Sequence, residues 1–508
     1  MEPRPPKFGS VIRNHKHLLP EPYKDTAMSQ KDAAPATWTV ECLPNELLGT
    51  ICDLLPNSDI KNIRLASPLL GQKCQLKISR VFISHNPANI KVAMAIATHE
   101  SYRLGVEEII WDDATLVPSG GDGGLFPEYS EESDAEIPKE LAVEDQKSFT
   151  WFARGYEDVF RYVIQQFPNL KRVVVTPAAH GYLFEPLYRT PMIKSFPYGF
   201  IYPVPRGWPM PLPGHQWALA MPWVGDDTAE ENKDIYHGFR IVTKVLAEEK
   251  HNVTELMFDV HQLNTGINHF ALNRGTEEYK NFCDILKRPG FQKLHLSLLV
   301  GFYLAEEYEI YNERYLHDAL YEATDMRYLS FHTDFATNRH SWTIDMYQYT
   351  PLFDVFPIDR WQQLTYFGLS NVLVAQTDLI AFLSKLPQTV QTVELSFLTF
   401  MEGDGHSISL MEDIRDKLDW KHRPLERRVK IFAKIFCYLS YYGRYICVDK
   451  EVEEFVYNDG PQPFQLRQPG NSSDVDPGTG VLKDLFNPAW ECPNDYSVER
   501  RLVFPRQQ

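Results

Sequence analysis

Nothing in this chain is apolar for long enough to cross a bilayer. The longest hydrophobic run, around Leu294–Ala305, is short and interrupted, whereas a spanning helix needs about 20 apolar residues. Positive charge is also scarce. The chain has 51 Lys and Arg against 68 Asp and Glu, a net charge of −17, and no basic block stands out. Nucleic acid and anionic membrane are therefore not expected as main partners. The seven cysteines, at 42, 52, 74, 283, 437, 447 and 492, lack zinc-ligand spacing and read as reduced, buried thiols. The start, Met1-Glu2-Pro3-Arg4-Pro5-Pro6, lacks the apolar core of a signal peptide. A cytoplasmic or nuclear protein, not secreted, is expected.

Catalytic signatures are missing too. No Gly-x-Ser-x-Gly elbow, Walker loop, Rossmann glycine pattern or His-Glu-x-x-His pair occurs, and each of those spacings serves a specific chemistry. His251, His261 and His269 are close in sequence without ligand spacing, and read as surface or hydrogen-bonded histidines. Asp112-Asp113 and Asp226-Asp227 are neighbours whose side chains point apart on a strand or loop. They read as solvated turns rather than an acid/base couple. No enzymatic activity, metal or cofactor is expected.

What the chain does have is apolar residues, 44% of 508, enough for large cores in two to four domains. Residues 1–38 are polar, contain proline and read as a flexible tail. Residues 43–80 read as three short helices. Pro44 suits a first helical position, and Leu47, Leu48, Ile51, Leu54 and Leu55 form one apolar stripe. Ser58 can cap a second helix bearing Ile60, Ile63 and Leu65, and Ser67-Pro68 can start a third.

Helix-like and strand-like pieces then alternate. Arg80–Ile83, Glu108–Trp111, Leu170–Val175, Val253–Val260, Phe291–Leu299, Met326–His332, Gln362–Phe367 and Thr392–Phe397 read as strands, with helical pieces before them. Leu256, Leu294, Leu329, Leu364 and Leu395 recur at 38, 35, 35 and 31 residues. A unit repeating at roughly 20–50 residues marks a solenoid. Helix–strand alternation alone also fits an ordinary α/β domain with a parallel sheet, but short strands at regular spacing favour the solenoid.

Residues 118–147 hold nine acids against two lysines and read as a solvated loop. Residues 177–224 hold ten prolines among many aromatics. Proline blocks helix and central strand there, so the segment reads as a long loop that packs on the body or awaits a partner. After residue 400, Arg428–Phe436 and Arg444–Val448 read as two strands joined by a turn at Tyr442-Gly443. The rest reads as loop-rich and able to cap the solenoid.

The set Leu43-Pro44-x-Glu46-Leu47, Ile51, Leu54-Leu55, Asp59-Ile60 and Arg64-Leu65-x-Ser67 resembles an F-box. The text after it, Arg80-Val81-Phe82-Ile83-Ser84 and Val106-Glu107-Glu108-Ile109-Ile110-Trp111-Asp112-Asp113, is similar to that of the large F-box families of filamentous fungi. Ser67-Pro68-Leu69-Leu70-Gly71 departs from the usual basic and aromatic ending.

The resemblance implies a substrate-recognition subunit of an SCF-type ubiquitin ligase. It would bind a Skp-type adaptor, and through it cullin, by Leu43, Pro44, Leu47, Ile51, Leu54, Leu55, Ile60 and Leu65. An unidentified protein target would lie on the repeats. If the strand leucines face inward, Asp259, His295, Ser297, His332 and Glu394 face outward as candidate target contacts. Rival readings are a non-degradative adaptor-bound scaffold and an enzyme built on the α/β body. The expected fold is α/β: a tail over 1–38, a three-helix F-box over 39–80, an irregular leucine-rich-repeat-like α/β solenoid over 81–400, and a loop-rich cap over 401–508.

Overall fold

The computed structural model describes residues 39–114, 155–177, 187–195, 208–209, 220–225, 229–261, 263–301, 313–334, 349–436, 444–466, 473–476 and 478–484. The expected tail, the acidic loop, Asp226-Asp227, the Tyr442-Gly443 turn and most of the proline-aromatic loop lie outside them.

The first described elements are three helices, α1 (Asn45–Leu54), α2 (Asn57–Ala66) and α3 (Pro68–Lys73). Pro44 precedes α1 with an extended backbone instead of occupying its first turn. Ser58 does not cap α2. The helix already starts at Asn57, and the Ser58 hydroxyl bonds to Asp59 within it. Asn57 does more to fix this start, exchanging two hydrogen bonds of 2.6 and 2.8 Å with the backbone of Lys77. Ser67 caps α3 as expected, accepting from the Leu69 amide at 3.2 Å. Leu48, Cys52, Ile60, Leu70 and Cys74 form a small core of their own. Cys42, expected to be buried, is exposed.

A parallel sheet carries the body. Its strands are β1 (Arg80–Ser84), β2 (Glu108–Asp112), β3 (Arg172–Thr176), β4 (Glu255–Phe258), β5 (Ile267–Asn268), β6 (Lys293–Leu299), β7 (Tyr328–Thr333), β8 (Tyr366–Ser370), β10 (Thr392–Ser396) and β12 (Lys430–Phe432). A separate parallel pair joins β9 (Leu373–Val374) to β11 (Thr399–Phe400). The main path runs β1-β2-β3-β4-β6-β7-β8-β10-β12, with β5 paired to the end of β6. The order is the order of the sequence and never reverses. Right-handed crossovers in one unreversed series bring every connecting helix to the same face of the sheet.

That face is built from two apolar rows, as the period of two requires. One row is Val81, Ile109, Val173, Leu256, Leu294, Leu329, Phe367, Val393 and Ile431. The other is Ile83, Trp111, Val175, Phe258, Leu296, Phe331, Leu369 and Leu395. Helix rings pack against them: Phe160 on Trp111, Phe239 on Phe258, Phe356 on Phe331 and Phe382 on Phe367. The strand expected at Gln362–Phe367 lies later in the chain. Leu364 is buried just before it, and Phe367 takes the register position next to Leu329.

Other expectations need correction. Asp112 and Asp113 are buried, not solvated. Asp113 accepts from the indoles of Trp111 (3.3 Å) and Trp208 (2.8 Å) and from the Gly238 amide (2.7 Å). His251 is hydrogen-bonded as expected, to the Leu246 carbonyl at 2.9 Å, whereas His269 is fully buried rather than at the surface. The stretch 428–436 is split at Ala433. Lys430–Phe432 joins the main sheet, whereas Lys434–Phe436 pairs antiparallel with Arg444–Cys447. The region read as loop-rich holds two helices, Ser407–Lys417 and Asp449–Asn458. No helix among the described residues is long and apolar enough to cross a membrane.

Candidate functional site

The face away from the helices starts with a ladder of alternating charge. Arg80, Glu108, Arg172, Glu255 and Lys293 open β1, β2, β3, β4 and β6 and stand side by side. Arg80 pairs with Glu108, and Arg172 reaches Glu108 at 3.3 Å and Glu255 at 2.6 Å. Lys293 Nζ then lies 4.1 Å from the centre of the Tyr328 ring. Tyr328 stacks on Tyr366 at 4.1 Å, and the Tyr366 hydroxyl donates to Glu394. Lys434 ends the run, 2.8 Å from Glu394 Oε1. Partly exposed pairs of this kind contribute about 0–1 kcal/mol each. The ladder therefore fixes a charge pattern more than it stabilises the sheet.

At the carboxyl ends of the strands lies a row that is polar from edge to edge: Ser84, Asp112, Thr176, Asp259, Ser297, His332, Ser370 and Ser396. Its centre is a cluster around Asp259. Asp259 Oδ1 accepts from the His261 amide at 2.8 Å and lies 3.9 Å from His295 Nε2, and Oδ2 lies 3.5 Å from His261 Nδ1. Ser297 Oγ is 3.3 Å from the same His295 Nε2. A charge relay needs its acid and its hydroxyl on opposite nitrogens of one imidazole, and here both meet one nitrogen. Tyr188, from the proline-aromatic loop, lies edge-on to His261 at 6.0 Å and under the Arg80 guanidinium.

Burial opposes ionisation of Asp259, but His261, His295, His332 and the His261 amide outweigh it and hold its carboxyl below the usual range. Burial pushes His332 down to about 4 and His295 down as well, so both imidazoles are neutral at pH 7. Burial also works against the charge of Glu394, yet Lys434, Tyr366 and Ser396 more than offset it and lower its pKa.

The five expected target contacts do share this face, but their exposure differs. Asp259 and His295 are partly open, with side chains 23% and 18% exposed. Ser297 and His332 are buried, contrary to the outward-facing expectation. The reason is the segment after β4. It folds back so that Ile267 pairs with Leu298, and the Leu263 carbonyl accepts from the His332 ring. Glu394 is engaged by Lys434. Sequence reasoning missed Lys434, Tyr366, Tyr188 and the charge ladder. The ladder had a signal, a charged residue immediately before the first apolar residue of successive strands.

The helical module presents a second surface. Leu47, Ile51 and Leu54 recur on one side of α1 and are 52%, 40% and 83% exposed, and Leu65 is 85% exposed. Pro44 is exposed, while Leu43 and Leu55 are half-buried. Ile60 is fully buried in the module's core, so it joins the helices to each other.

Among the described residues no trio of His, Cys, Asp or Glu is arranged to hold a metal ion. No protein-family model matches the chain, and no curated protein matches it either.

Proposed function

We propose that this protein is the substrate-recognition subunit of an SCF-type ubiquitin ligase, working in the cytoplasm or nucleus. Residues 39–80 act as an F-box, and the body acts as an irregular leucine-rich-repeat-like solenoid that holds a protein target. The observation that carries the reading is the exposed stripe Leu47, Ile51 and Leu54 on a module whose own core is five residues. Exposed apolar stripes mark docking sites, and a partner that covers this one gains roughly 1.5–3 kcal/mol per side chain. The unreversed strand order supports the solenoid, since each strand then contacts only its neighbours. The protein itself performs no chemistry in this reading. It brings a target near ubiquitin-transfer subunits, so its contribution is proximity.

The test is co-expression with a Skp-type adaptor followed by size-exclusion chromatography. Wild type is expected to co-elute. The Leu47→Asp/Ile51→Asp variant is expected to elute alone with an unchanged melting temperature, because both side chains are already exposed. Separate elution of folded wild type and adaptor would sink the proposal.

A further inference from the structure

The cluster around Asp259 is a collection of acceptors without a cation. Among the described residues, no lysine or arginine lies within ion-pair distance of Asp259, whose partners at that distance are the imidazoles of His261 and His295. Lys293, the cation on the adjacent strand, is turned over Tyr328 instead. His332 donates one ring nitrogen to the Leu263 carbonyl, and its Nε2 is buried without a hydrogen-bond partner. A neutral imidazole whose first nitrogen donates has a lone pair on the second, so this nitrogen is an acceptor. His261 Nε2 is likewise buried without a partner. Asp259 and His295 are open enough to solvent for a side chain to reach them.

We propose that this cluster binds a basic side chain, lysine ammonium or arginine guanidinium, presented by the protein held on the polar face. The inference rests on reading that face as the target surface. A lysine ammonium has donors and no acceptor, and so complements the partly open Asp259 carboxylate. Charge-assisted hydrogen bonds of this type are about twice as strong as neutral ones. The net charge of −17 draws a basic segment toward the molecule before contact. Asp259 then selects where it docks.

The experiment measures fluorescence polarisation of a short labelled Gly/Ser peptide bearing a lysine triplet, titrated with the full chain. An arginine version, a norleucine version and free spermidine as competitor complete the set. Asp259→Asn is the main variant, because the amide oxygen can still accept from the His261 amide and keep that turn. Glu453→Gln, which removes one exposed charge on the helix Asp449–Asn458, controls for net charge. The lysine or arginine peptide is expected to bind, the norleucine peptide not. Asp259→Asn is expected to weaken binding roughly tenfold and Glu453→Gln less than twofold.

Equal weakening by the two variants means diffuse charge attraction and overturns the site, as does norleucine binding as well as lysine. Spermidine displacing the peptide supports the cation chemistry. Displacement equally effective in Asp259→Asn speaks against this location. Should Asp259→Asn melt early, His295→Gln serves in its place, with the same expected loss. Adaptor binding is scored separately. Co-elution with the adaptor but no peptide selectivity removes only this inference. Selective peptide binding without co-elution removes only the ligase reading.

Discussion

Asp113 accepts from two indoles and one amide inside the core, and among the described residues no lysine or arginine pairs with it. Burial pushes its carboxyl up to about 7 against those three donors. In Asp113→Asn the amide group must face one donor, the Trp208 indole, with hydrogens of its own. A buried unsatisfied donor costs about 1–3 kcal/mol, and urea unfolding at pH 7 is expected to show a loss of that size.

The buried and half-buried histidines have the opposite pH sign. Burial lowers His85 and His269 to about 3 and His237, His251 and His332 to about 4. An unfolded imidazole takes its proton near pH 6.5. The stability these groups contribute is present above that value and lost as pH falls toward 4 and 3. Asp113, raised when folded, contributes stability that is full below about 4 and lost as pH rises toward 7. Five histidines outweigh one carboxyl, so the melting temperature is expected to fall between pH 7 and pH 5. An equal or higher melting temperature at pH 5 would contradict this assignment of burial.

At the scale of elements, alternation along each strand was readable because one face packs on helices and the other does not. Val81 and Ile83 point one way, Arg80 and Ser84 the other, and the same holds at Leu294 and His295. The helix Asp449–Asn458 is also legible in principle, from Val452, Phe455 and Val456 at helical spacing, although its surroundings read as loop-rich. Contacts made across long separations were not readable. Trp208 and Trp223 sit in a proline-rich segment, yet both are buried, with their indoles on Asp113 and Glu278, 95 and 55 residues away in sequence.

The return of the chain from β4 into β5 beside β6 is another such contact, since β5 is only two residues long and no local pattern marks it. Gly266 lets it lie close, because a Cβ there would overlap the Leu298 backbone. Gly266→Ala is therefore expected to cost roughly 1–3 kcal/mol, as overpacking does. Amide exchange should speed up at Leu298 and Leu299 before the rest of β6. Unchanged exchange there would show that the segment seats without the glycine.

At the scale of the whole molecule, the sheet has two ends. β1 is the strand next to the helical module, and β12 is only three residues long before the chain turns at Ala433 into a different sheet. A short final strand blunts an edge that would otherwise pair with another chain. Nearest-neighbour architecture predicts graded stability. Backbone exchange is expected to be slowest in β4, β6 and β7 and faster at β1 and β12. One common rate for all strands would speak against it.

The unreversed strand order also bears on how the molecule is made. In a sheet whose first strand lies in the middle, early segments must wait for late ones. Here every strand of the main path after β1 finds one partner already emerged when it leaves the ribosome. Domains form from the amino-terminal end during synthesis, and contacts between successive units limit each loop to be closed to one connection between neighbouring strands. The polar face can thus be laid down strand by strand, with Asp259 in position before Glu394 and Lys434 have been translated.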